Sequence, residues 1–178
     1  MGRSILAFIV MSGVLVLAGC VTASNNEAVQ LQAKQLAPQL KPKDPRQARL
    51  YFIRPAGWMG QLGTVNFKLN GSEIGGIKHG SYLFVDRPPG AYTIEVVPPF
   101  EFVNNFRTDV EVTAGNTYFY AITLQGSTVA TGTMFVRLDQ ENPGTPMKPK
   151  DGTGLENFRL NTMDAATGAL EIAKLSNH

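Results

Sequence analysis

The chain has 178 residues, 43% of them hydrophobic and 17% charged, which suits one globular domain with a further segment appended. Its net charge is +2, from 16 basic and 14 acidic residues scattered along the chain, so the clustered basic stripe of a nucleic-acid binder is missing. A single cysteine excludes an intramolecular disulfide, and with only two histidines it leaves no basis for a His/Cys zinc site.

The first segment, residues 1–19, carries one positive charge at Arg3 and then an apolar run from Ile5 to Leu17. That run is shorter than the roughly 20 residues of a membrane span and has the size of a signal-peptide core. It ends in Leu17-Ala18-Gly19-Cys20, which resembles the bacterial lipobox: an aliphatic residue, two small residues and the cysteine that becomes lipidated. The resemblance implies cleavage before Cys20, a diacylglycerol on its sulfur and usually an acylated amino group. Several acyl chains anchor stably where one would be marginal, since each buried methylene contributes about 0.8 kcal/mol. Val21 stands where the inner-membrane retention signal has Asp, so the expected address is the outer membrane, facing the periplasm.

Residues 20–47 read as a flexible tether, rich in Ala, Gln, Asn and Lys and closed by Pro38, Pro42 and Pro45. Asn25 or Asn26 could cap a short helix over 27–36, with Val29, Ala33 and Leu36 on one face. The domain is expected over 48–138. It opens with Ala48–Arg54, apolar on both faces like an interior strand. The Gly57-Trp58-Met59-Gly60 loop follows. Thr64–Leu69 then alternates, Asn70-Gly71 is a strong signal for a type I′ hairpin, and Gly75-Gly76 in the return strand suits a bulge. Two strand-forming runs, Tyr82–Asp86 and Ala91–Val97, flank Arg87-Pro88-Pro89-Gly90, which reads as a stiff turn between paired strands. Pro98-Pro99-Phe100-Glu101-Phe102 leads to a strand over 106–113, and Ala114-Gly115-Asn116 turns the chain into Thr117–Leu124. A last strand is expected over 130–138. About eight short strands at regular spacing predict an all-β fold, a single antiparallel β-sandwich of the immunoglobulin or transthyretin kind. Residues 139–178 read as a mobile Pro/Gly/Lys-rich loop and a C-terminal segment. Residues 164–175 have the length of a short helix, although Gly168 argues against one.

ARLYFIRP at the domain start, Asn70-Gly71 leading to Ile74-Gly75, Gly80-Ser81-Tyr82, Pro89-Gly90-Ala91-Tyr92 and Ala114–Tyr120 occur in an order that resembles the bacterial lipoprotein family catalogued as domain of unknown function 2846. The Pro-Gly-x-Tyr turn also resembles that of PEGA-type surface modules. The resemblance covers about 48–138 and implies an envelope lipoprotein with a β-sandwich. It carries over no catalytic residue and no cofactor.

Catalytic groupings fare poorly on the residues alone. His79, Ser81 and Asp86 are close in sequence, but Ser81 and Asp86 are an odd number of positions apart and point to opposite faces of a strand. Glu95 and Glu101 could pair as acid and base, yet Glu95 suits an outward polar position. No G-x-S-x-G elbow, phosphate loop or calcium loop is present. A lipid-anchored, non-catalytic envelope module is therefore expected, without metal, cofactor or nucleic acid, bound to the membrane through Cys20 and to an envelope protein through aromatic loops. The candidate contact residues are Trp58, Met59, Phe100 and Phe102, because aromatics anchor interfaces. The alternative is a glycan- or peptidoglycan-binding module with Trp58 and Tyr82 as stacking platforms.

Overall fold

The computed structural model describes residues 20–56, 63–99, 105–124, 128–131, 134–137, 144–150 and 158–176. Trp58, Met59, Phe100 and Phe102 lie outside the described residues. In chain order the strands are β1 (Ala48–Arg54), β2 (Val65–Leu69), β3 (Ser72–Ile77), β4 (Ser81–Arg87), β5 (Gly90–Val97), β6 (Phe106–Val112), β7 (Thr117–Leu124), β8 (Thr128–Thr131), β9 (Met134–Arg137), β10 (Thr145–Pro146) and β11 (Phe158–Met163). Helix α1 (Cys20–Leu36) precedes them, and α2 (Ala165–Leu175) follows.

Among the described residues, nine strands form two sheets that pack as a sandwich. One has the order β10-β11-β7-β1-β4 and the other β3-β2-β5-β6, while β8 and β9 pair separately as a hairpin. Pairing is antiparallel except between β1 and β7, which run parallel. Even-numbered residues of β1 and β7 face the second sheet: Leu50, Phe52, Tyr120 and Ile122 meet Val65, Phe67, Ile94 and Val96 in one apolar core. The Phe52 ring, from the first sheet, sits 4.7 Å from the Phe67 ring of the second.

β1 is buried at all seven positions, as its unbroken apolar run predicts. A two-layer sandwich cannot supply that, because one face of each sheet points outward. The second cover is a helix layer. Tyr51, Ile53, Phe119, Ala121 and Met163 lie under Ala33, Leu40, Ala169, Ile172 and Ala173 of the helical segments.

Four expectations change accordingly. The 20–47 tether is not a coil: α1 begins at Cys20, and Ala33 and Leu40 are buried in the cluster that the helices form with the sheet. The domain does not close at residue 138, since β11 pairs with β7 over six residues and α2 packs behind it. The last strand expected over 130–138 is instead the β8–β9 hairpin. Gly168 does not prevent the last helix. A methyl group at that position would overlap the Phe119 ring, so glycine is what lets α2 approach β7. Asp164 caps this helix, accepting from the Ala166 and Thr167 amides at 2.9 Å each.

The β2–β3 turn is as read. Asn70 and Gly71 have φ of 50° and 80°, the two positive values a type I′ turn needs. The bulge is real as well, because Phe67 faces Gly75 and Lys68 faces Glu73, leaving Ile74 extra. The Pro88-Pro89-Gly90 turn differs: β4 and β5 are not a hairpin but belong to different sheets. The Tyr92 hydroxyl donates to the Pro88 carbonyl at 2.9 Å, pinning the chain as it crosses. The β6–β7 connection crosses back at the same end, and there the Thr113 amide donates to the Tyr118 hydroxyl at 2.9 Å. The two tyrosine motifs thus brace the two passages between sheets.

Candidate functional site

The described surface that stands out is the helix-side face of β4. Among the described residues, β4 ends its sheet and pairs only with β1, bringing Arg49 opposite Asp86, Tyr51 opposite Phe84 and Ile53 opposite Tyr82. Tyr51 is buried and stacks on Phe119 at 5.2 Å between centroids. Toward the edge it meets Phe84 at 5.3 Å and Tyr82 at 6.0 Å. The helix layer stops short of those two rings, leaving Phe84 48% and Tyr82 39% exposed. With Leu31 on α1, they are the exposed large hydrophobic side chains among the described residues.

This row is held rigidly. Arg49 Nε and Nη2 donate to Asp86 Oδ1 and Oδ2 at 2.7 and 2.8 Å, a bidentate fork. The same guanidinium lies over the Phe84 ring, 4.4 Å from its centroid. The fork holds the Asp86 carboxyl below the ordinary aspartate range, although partial burial works against it. Burial raises the Tyr51 hydroxyl above its usual value. The result is an apolar ledge of two aromatic rings, closed at one end by a neutralised ion pair. Such a ledge can take apolar or aromatic groups.

The other residues singled out from sequence are not brought together. The Ser81 hydroxyl donates to the Lys78 carbonyl at 2.6 Å, while the Asp86 carboxylate is taken up by the Arg49 fork. Glu95 does lie on the outward face of β5, away from Ile94 and Val96, but it is not solvated. It is buried, and accepts from Asn105 at 2.6 Å and Arg107 at 3.2 Å. Burial alone would raise its carboxyl, but those two donors outweigh it and the net shift is downward. Its proposed partner Glu101 lies outside the described residues. Cys20 is the first residue of α1. Among the described residues, no group of three or more His, Cys, Asp or Glu side chains is placed to hold a metal, and no helix is long and apolar enough to cross a membrane.

Phe84 and the Arg49–Asp86 fork were missed as site residues. The alternation Tyr82, Phe84, Asp86 is visible in the sequence, but period two does not say which face is solvent or which strand is the edge.

No curated protein matches the chain. A family model described as Protein of unknown function (DUF2846) matches residues 44–145, a span that includes β1, the Asn70-Gly71 hairpin and both tyrosine-braced crossings. With more than half of its length matched, the chain belongs to that family.

Proposed function

We propose that the protein is a lipid-anchored, non-catalytic envelope module that engages a protein partner through the aromatic edge of β4. The observation that carries the partner reading is the pair Tyr82 and Phe84, two large rings left open on an edge strand whose neighbours are packed and ion-paired. Aromatic side chains on a rigid base are the usual anchors of interfaces. The anchor reading rests on Leu17-Ala18-Gly19-Cys20, with the outer membrane as the address implied by Val21. Since α1 begins at Cys20, an acylated cysteine would be followed directly by a helix of about 25 Å, at 1.5 Å per residue. The domain would then stand at a fixed height over the bilayer.

Cys20→Ser should abolish metabolic palmitate labelling and release the protein from the membrane fraction. Labelling that persists in the variant rejects the anchor. A photoreactive phenylalanine analogue at position 84 should crosslink to protein in living cells. A second reading, a glycan or peptidoglycan module, draws on the exposed Tyr82 ring as a stacking platform. Retention on insoluble peptidoglycan that is lost in Tyr82→Ala would favour it over the protein partner.

A further inference from the structure

We propose that the partner at this edge is a second copy of the chain, added antiparallel to β4 about a two-fold axis through Phe84. The inference rests on the reading of β4 as a contact surface, and it names the occupant.

Among the described residues, the four edges of the two packed sheets are not alike. β10 is two residues long and contains Pro146. β3 carries the bulge beside Gly75 and Gly76. β6 alternates Arg107, Asp109 and Glu111 along its exposed positions, and its Thr108 hydroxyl donates to the Lys148 carbonyl of the 144–150 segment at 3.0 Å. Shortness, proline, bulges, charge and covering segments are the devices by which edges are kept from pairing. Among the described residues, β4 shows none of them over its first five positions. Its seven positions pair with β1 without a break, Ser81–Val85 contains no proline, glycine or charge, and the Asp86 charge is already taken up by Arg49.

The residues of β4 complement themselves. With Phe84 on the axis, the two Phe84 side chains oppose each other, and Leu83 opposes Val85 of the other copy. Tyr82 brings a hydroxyl beside Asp86, and Ser81 faces Arg87. All seven residues are paired, apolar meets apolar, and no like charges are opposed. Moving the axis one position to Leu83 or Val85 keeps the faces matched but leaves residues unpaired. At Val85 it also sets the Asp86 carboxylate against Phe84. Such an isologous contact closes on itself and joins two five-stranded sheets into one of ten.

The test uses the full-length protein in its membrane. The photoreactive analogue at position 84 should yield predominantly a crosslinked homodimer. Crosslinking to a different protein overturns the second copy but leaves the contact surface standing; no crosslink to any protein overturns both. Register is read with Phe84→Cys, because residues directly opposed across antiparallel strands have Cα atoms about 4.5–5.5 Å apart, within disulfide range. Mild oxidation should couple Phe84→Cys chains and leave Tyr82→Cys chains uncoupled. Equal coupling at both positions would mean random collision and overturn the register. Phe84→Lys sets two like charges against each other and should raise the dimer dissociation constant at least tenfold, while Phe84→Leu should preserve the dimer. An unchanged constant in Phe84→Lys, with the fold verified by circular dichroism, also overturns the proposal.

Discussion

The two outer faces of the sandwich are built on opposite principles. Behind β1 and β7 the outward residues are Tyr51, Ile53, Phe119 and Ala121, all buried beneath the helices. Behind β2, β5 and β6 they are Lys68, Glu95, Arg107, Thr93 and Asp109, with polar contacts from Thr93 to Asp109 and from Arg107 to Glu95. One face is a second hydrophobic core; the other is a polar ladder at the solvent. The contrast teaches that β4 is a boundary. It lies on the apolar face beyond the reach of the helix layer, so its rings are the part of that core left uncovered.

If the helix-side face is a true core, truncating its central ring should be as costly as truncating one between the sheets. Phe119 is buried and stacked on Tyr51. Phe119→Ala should destabilise by about 3–5 kcal/mol, the range for a buried phenylalanine. Denaturant midpoints would show it. A loss near zero would mean that the helices rest on the sheet without packing into it.

Gly168 tests the same contact from the other side. Alanine is favoured over glycine in a helix by about 1 kcal/mol, whereas overpacking costs about 1–3 kcal/mol. Here the added methyl would overlap the Phe119 ring itself, so the clash should win, with a net loss of up to about 2 kcal/mol for Gly168→Ala. In a Phe119→Ala background the clash is gone and the same change should stabilise. A double-mutant cycle that shows simple additivity would break this account.

That glycine also shows how far the chain could be read from its residues. The hairpin at Asn70-Gly71 and the two-sided burial of β1 were legible, because turn chemistry and apolar runs are local signals. α2 was obscured because the local penalty of Gly168 is visible in sequence, while the Phe119 ring that requires it lies 49 residues away. β11 was hidden because Asn161, fully buried and donating to Thr123 at 3.0 Å, breaks the apolar pattern. α1 reads as a solvated linker because, of its described side chains, Ala33 alone is buried, with Val29 and Leu36 partly buried beside it. The Pro88-Pro89-Gly90 turn carries the same residues whether the chain folds back on its own sheet or crosses to the other. As for the candidate site, Tyr82 was noticed as a ring but not as an edge residue, and strand order is a non-local property.

The boundary itself is probed through Arg49 and Asp86. Asp86→Asn keeps the shape but leaves the buried Arg49 guanidinium without its carboxylate, which should cost about 1–2 kcal/mol, below the fully buried range because Asp86 is partly exposed. The pH dependence has a definite sign. A carboxyl whose folded-state pKa is depressed stabilises fully above the unfolded value of about 3.9, and that stability fades as pH falls through the lower folded value. The stability difference between parent and Asp86→Asn should therefore be constant from pH 7 to about pH 5 and shrink in stronger acid. A difference that grows on acidification would contradict the fork.

On the polar face the smallest effect is expected, at Asp109. Its carboxylate accepts from Lys150 at 3.1 Å and Thr93 at 2.6 Å, and these bonds hold it below the usual range. The side chains of Asp109 and Lys150 are 54% and 46% exposed, so water and salt compete with the ion pair at every step. Asp109→Asn removes the charge but keeps an oxygen that can accept from Thr93. Its denaturation midpoint should match that of the parent, and added salt should leave the two indistinguishable. Asp86→Asn, measured alongside, should remain shifted at the same salt, because Arg49 is shielded beneath the sheet edge. If Asp109→Asn instead weakens the protein as much as Asp86→Asn, the polar face carries structural ion pairs of its own, and the contrast between the two outer faces fails.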